Sequence, residues 1–155
     1  MSFTNRKPLR VLAAVSLGAL PLLSKALGSD FVLIHCDSLT MAKTALNDAV
    51  DVIIAGVNFD DGQMFGFLRL CKSSVHAKKI AFVSIKCLED EMEGTANEAF
   101  DIASRSLGGD GFLDLYRWTT QFGADQSFEE LRNLIDTLVQ FRRVQDLHNP
   151  AFSHI

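Results

Sequence analysis

Three short stretches gather residue types that can do chemistry. His35, Cys36 and Asp37 stand side by side, Asp60-Asp61-Gly62 follows an apolar run, and Tyr116-Arg117-Trp118 holds the single tyrosine and the single tryptophan of the chain. A histidine and a cysteine adjacent on an extended strand project to opposite sides, so they make no nucleophile–base dyad. Two carboxylates without a third hard ligand make a weak cation site, and Asp-Asp-Gly reads better as a solvated turn. No Ser/His/Asp order and no paired-carboxylate constellation stands out. The phosphate-cradling patterns GxGxxG and GxxxxGK[ST] are absent. Cys36, Cys71 and Cys87 have no CxxC or Cys/His spacing, which argues against zinc and against a disulfide framework. His76, His148 and His154 read as surface residues. The expectation is a protein that is not an enzyme and that holds neither a metal nor a cofactor.

Composition narrows the class further. The chain has 155 residues, 48% of them hydrophobic and 22% charged, which suits one soluble domain with a real core. With 15 Lys and Arg against 19 Asp and Glu, the net charge is −4. No basic excess exists to release counterions from phosphates, so nucleic acid is not expected as a partner. Scattered thiols in apolar surroundings fit a reducing cytoplasm. Arg6, Lys7 and Arg10 precede the apolar run Val11–Leu23, and Ala26-Leu27-Gly28 has a small-x-small form, which together follow the grammar of a secretory signal. Gly18 and Pro21 punctuate that run, however, and it is too short to span a bilayer as a helix. A buried strand followed by a helix is the favoured reading, with no membrane association.

The apolar pattern alternates between strands and helices. Strands are expected at Leu9–Val15, Phe31–His35, Asp51–Val57, Lys79–Ile85 and Gly111–Leu115, nearly all apolar, as in strands covered on both faces. The first helix runs from about Ala19 to Leu27. A second is capped by Asp37 or Ser38 and carries the stripe Met41, Ala42, Ala45, Leu46 and Ala49. The third runs from Met64 to about Lys72, and a fourth lies between Leu88 and Leu107. After a loop over residues 116–126, Ser127-Phe128-Glu129-Glu130 has the form of a capping box. The fifth helix then buries Leu131, Leu134, Ile135, Leu138 and Val139. Five strands alternating with five helices imply an α/β fold, a doubly wound five-stranded parallel sheet of flavodoxin-like type with strand order 2-1-3-4-5. Residues 1–155 are expected to form a single domain, with 1–8 as an arm and 143–155 as a tail.

The stretch from Asp51 to Phe65, Asp-Val-Ile-Ile-Ala-Gly-Val-Asn-Phe-Asp-Asp-Gly-Gln-Met-Phe, resembles the third-strand signature of response-regulator receiver domains. The first strand and Gly108-Gly109-Asp110-Gly111-Phe112-Leu113 are similar to receiver patterns too, and the likeness covers about residues 9 to 140. It implies a carboxyl-edge phosphorylation site, and this sequence departs from it there. The acidic pair that holds Mg²⁺ in receivers falls on Val15 and Ser16, or one residue earlier, and the phospho-acceptor position is Gly56, followed by Asn58. Ser84 stands for the hydroxyl residue after the fourth strand. Leu115 and Tyr116 replace the lysine and proline after the fifth. Glycine offers no nucleophile, Val15 and Ser16 supply no carboxylate for Mg²⁺, and Leu115 brings no cation to an incoming phosphoryl group.

The resemblance therefore implies a degenerate pseudo-receiver, a phosphorylation-independent interaction module in signal transduction of the two-component type. A small-molecule-binding domain using the vacated pocket, lined by Ser16, Gly56, Asn58 and Ser84, is the alternative. In receivers the face of helix four, strand five and helix five makes contacts, which assigns a regulatory protein partner, or a second copy in a homodimer, to Phe112, Tyr116, Arg117, Trp118 and Phe122. Tyr, Trp and Arg are the residue types enriched in binding hot spots. Glu89, Asp90, Glu91 and Glu93, in extra length at the start of the fourth helix, read as favourable charge at a helix N-terminus or as an acidic docking surface. Phe141–Leu147 continues the fifth helix and offers a few apolar residues for pairing.

Overall fold

The computed structural model describes residues 7–46, 49–88 and 94–148. Glu89, Asp90, Glu91 and Glu93, most of the expected arm and residues 149–155 lie outside them. Five strands, β1 (Leu9–Ala14), β2 (Phe31–Cys36), β3 (Val52–Gly56), β4 (Ala81–Lys86) and β5 (Phe112–Asp114), pair in parallel in the order β2-β1-β3-β4-β5. This is the doubly wound flavodoxin-like sheet expected from the sequence. Alternating side chains feed two cores. Val11, Ala13, Val52, Ile54, Val83 and Ile85 pack under α1 (Leu20–Leu27) and the final helix. Leu12, Ile53, Ala55 and Phe82 pack under α2 (Leu39–Ala45) and α3 (Met64–Ser73). Phe67 centres that second core, with its ring 5.8 Å from Phe59 and 5.9 Å from Phe82. Both faces being covered is what allows strands with so little polar content.

Local chemistry explains where the elements stop. Gly28 ends α1 at φ 70°, a region that costs a side chain strain. Ser38 caps α2 through its side chain, accepting from Met41 N–H at 3.2 Å. In α2 the expected stripe is narrower: Ala42, Ala45 and Leu46 are buried, Met41 is exposed and Ala49 lies beyond the helix. A seven-residue helix has room for only one inward row.

The C-terminal third departs most from expectation. The loop expected over 116–126 is mainly a helix, α5 (Leu115–Phe122), so six helices are described where five were expected. Asp114 starts it by accepting from Arg117 N–H at 2.9 Å, and Gly123 at φ 83° ends it. The next helix, α6, begins at Ala124 and runs to His148, after α4 (Gly94–Ser106) has covered the second face. Ser127 is therefore inside α6 and is no cap; its hydroxyl is buried without a partner. Nor are residues 143–148 a tail. Arg142 bonds Asp110 at 2.8 Å, Arg143 bonds Asp51 at 3.2 Å and Asp146 faces Lys79 at 3.4 Å, pinning the helix end across the amino edge of the sheet.

All three cysteines are buried and free. Burial pushes the Cys71 thiol up to about 12. Lys72 is lowered, first by burial and then by Arg142, with Asp110 opposing. Among the described residues no helix is long and apolar enough to cross a membrane.

Two outcomes follow. Phe67→Ala should cost about 3–5 kcal/mol in a denaturant titration, since the cavity would lie between β4 and α3. The folded chain keeps the Cys71 proton while the unfolded chain loses it above its ordinary value of 9.0, so this thiol removes stability as pH rises from there towards about 12. Lys72 acts in the opposite sense just below 10.5. Unfolding midpoints should fall less steeply with alkaline pH in Cys71→Ala than in the wild type.

Candidate functional site

At the carboxyl edge of the sheet, Ala14 of β1 lies in register with Ala55 of β3, which sets Val15 beside Gly56. A Cβ built on Gly56 would meet Val15 Cγ1 at 3.4 Å and its Cα at 3.7 Å. Val15 is fully buried, Gly56 is buried, and Leu115 is fully buried in the same core under α1 and α6. Hydrocarbon occupies this corner. Ser84 lies on the other face of the sheet, fully buried, its hydroxyl 3.0 Å from that of Ser104 in α4. Ser16 is half-buried and its carbonyl accepts from Ala19 and Leu20 N–H, while Asn58 is exposed. Val15, Gly56 and Leu115 thus share one apolar corner, while Ser84 turns to the other layer. His35 Nε2 bonds the Val15 carbonyl at 2.9 Å, and Asp60 accepts from Leu39 N–H at 2.8 Å. Both groups serve the backbone. Asp60 and Asp61 sit in a tight turn at φ 43° and 53°. Among the described residues no three His, Cys, Asp or Glu side chains group to hold a metal ion.

The polar chemistry of this edge sits one strand over. Lys86 ends β4, Asp114 ends β5, and they lie opposite in register. Lys86 Nζ is 3.6 Å from Asp114 Oδ2, with side chains only 7% and 8% exposed. The same oxygen accepts from Asn97 Nδ2 of α4 at 2.9 Å, and Asp114 Oδ1 caps α5. One carboxylate thereby ties β4, α4 and α5 together. Sequence reasoning missed both residues. The signal available was a lysine closing the apolar run Phe82-Val83-Ser84-Ile85 and an aspartate standing on the alternate face from Leu113.

Asn97 carries a further mark. Its amide nitrogen must point at Asp114, because a carboxylate only accepts, so the orientation is fixed. Its Oδ1 is then buried with no partner, an arrangement that costs about 1–3 kcal/mol.

Outside this network a cleft of about 400 Å³ opens along the free edge of β5. Asn97, Glu98 and Asp101 of α4 form one wall, and Arg117 and Trp118 of α5 the other. Phe112 lies at its base, half-buried, with its ring 5.8 Å from Phe100, which in turn is 5.2 Å from Phe65 of α3. Asp101 Oδ1 accepts from Phe112 N–H at 2.9 Å and also pairs with Arg105. Of the residues expected to meet a partner, Phe112, Arg117 and Trp118 share this cleft. Trp118 leans against the core, Arg117 is exposed, and Phe122 is 55% exposed farther along α5. Tyr116 is half-buried and, like Phe122, is not among the cleft residues.

No family model and no curated protein matches the sequence. Solved structures do match the fold. The phosphorylated cyanobacterial phytochrome response regulator RcpA aligns over 85% of this chain and 94% of its own, at TM-score 0.63 and 16% identity. The response regulator domain of Thermotoga maritima CheB aligns over 86% and 98%, at 0.59 and 17%. The Mn²⁺-bound form of response regulator Rcp1 aligns over 83% and 91%, at 0.55 and 18%. The chain has the fold of response-regulator receiver domains.

The buried pair generates a double-mutant test. Lys86→Met alone should cost about 3–5 kcal/mol, because it strands Asp114 out of water. The Lys86→Met/Asp114→Asn double variant should cost clearly less than the two single losses added, as read from denaturation midpoints.

Proposed function

We propose that this chain is a pseudo-receiver, a module that works in signal transduction through protein contacts and without aspartyl phosphorylation. The observation that carries the reading is Gly56, buried at the end of β3 with the Val15 side chain packed against it. Phosphoryl transfer to a receiver fold needs a carboxylate nucleophile at that strand end, hard-oxygen ligands for a divalent ion and a cation facing the phosphoryl oxygens. Glycine, Val15 with Ser16, and Leu115 supply none of these. RcpA is phosphorylated and Rcp1 binds Mn²⁺; the side chains at this chain's corresponding corner are apolar.

What remains is surface. The α4–β5–α5 side offers an open cleft with an aromatic ring and an exposed arginine on α5, side chains of the types that dominate binding energies. Its scaffold is held by the Lys86–Asp114–Asn97 network, so the surface is presented rigidly, and a rigid surface loses less entropy when a partner docks. The buried thiols suit a reducing compartment, in keeping with a cytoplasmic setting.

Incubation with acetyl phosphate, or with beryllofluoride and Mg²⁺, tests the reading by intact mass and by Trp118 fluorescence. No covalent adduct and no beryllofluoride response are expected, and a stoichiometric adduct would overturn the proposal.

A further inference from the structure

We infer that the α4–β5–α5 cleft takes an arginine side chain presented by a protein partner, an inference that rests on the reading of this chain as a protein-binding module. Three features of the cleft select that chemistry. Asn97, on its α4 wall, turns its amide nitrogen to Asp114 and leaves its buried Oδ1 without a donor. Glu98, next along the helix, is exposed and in no ion pair among the described residues. Trp118 forms the opposite wall, a flat indole backed by the core.

The exposed group in need of a partner on the α4 side is thus the Glu98 carboxylate, with an aromatic side chain on the opposite wall. A guanidinium meets both needs at once. It is planar and weakly hydrated, stacks on an indole face, and carries five N–H donors in a fixed fork with no acceptor of its own. Such a group, laid against Trp118, directs its edge at Glu98. A carboxylate or phosphate in the same place would face Glu98, Asp101 and Asp114. Asp101 and Asp114 already have cations, Arg105 and Lys86, so Glu98 is the carboxylate left to pair with the entering charge. Arg117 at the rim sets a limit on total positive charge, favouring one arginine over a polybasic run.

Trp118 is the single tryptophan, so its emission reports the cleft directly. The full chain is titrated with the peptide acetyl-Ala-Arg-Ala-amide, and with the same peptide carrying citrulline, which keeps the shape and removes the charge. A saturable change with the arginine peptide, at least about tenfold weaker with citrulline, is expected. Glu98→Gln, an exposed position that leaves the fold intact, should weaken binding about fivefold. Equal responses to the two peptides, no response to the arginine peptide at about 10 mM, or undiminished binding by Glu98→Gln would each overturn the inference. The acetyl phosphate experiment reads the Val15–Gly56 corner and not this cleft. A phosphoadduct would therefore sink the pseudo-receiver reading whatever the peptides do, and a failed titration leaves that reading standing.

Discussion

A backbone N–H taken out of water must find an acceptor, and in this fold aspartates meet that demand at the ends of strands and helices. Asp51 accepts from Arg10, Asp60 from Leu39, Asp101 from Phe112, Asp110 from Phe82 and Asp114 from Arg117. A parallel sheet covered on both faces leaves its loops to satisfy whatever the ladders do not, and carboxylates do so with charge-assisted bonds. Several of these acids also hold a cation, Asp110 with Arg142, Asp51 with Arg143 and Asp114 with Lys86. The acidic balance of the chain is in good part an internal matter. It fastens loops to strands and helices to the sheet, and only secondarily shapes what the surface shows.

That division of labour explains what the sequence makes legible. Strand order and the two helical layers follow from local pattern, because an apolar run such as Val52–Ala55 has one plausible environment and Leu131, Ile135 and Val139 mark one helical face. The Ser38 cap is local too. Long-range bonds are not. Nothing near Asp51 in the sequence points to Arg10 or Arg143, which reach it across 41 and 92 residues. The same blindness hid the helical end of α6, whose ion pairs come from three different loops. It also turned α5 into an expected loop, since Tyr116, Trp118 and two threonines are indifferent helix formers and the cap that starts the helix is a strand-end aspartate.

The apolar character of the Val15–Gly56 corner is legible for a different reason. That Gly56 carries no carboxylate and Leu115 no charge are statements about residue identity, which sequence gives directly. Geometry adds what surrounds these positions. Val15 fills beside Gly56, Ser84 turns to Ser104 on the far face, and the ionic chemistry of the edge gathers at Lys86 and Asp114. Neither of those two residues announces itself, since one lysine and one aspartate on adjacent strands become a pair only when register sets them opposite each other.

The docking of α6 has a practical consequence. Its last turns cross the amino edge of the sheet, held by Asp51, Lys79 and Asp110, whereas the Lys86–Asp114 network and the start of α5 stand at the carboxyl edge. A label or fusion partner joined after the helix therefore departs from the pole opposite that network, and immobilising the chain by that end leaves the tryptophan wall facing outward into solution.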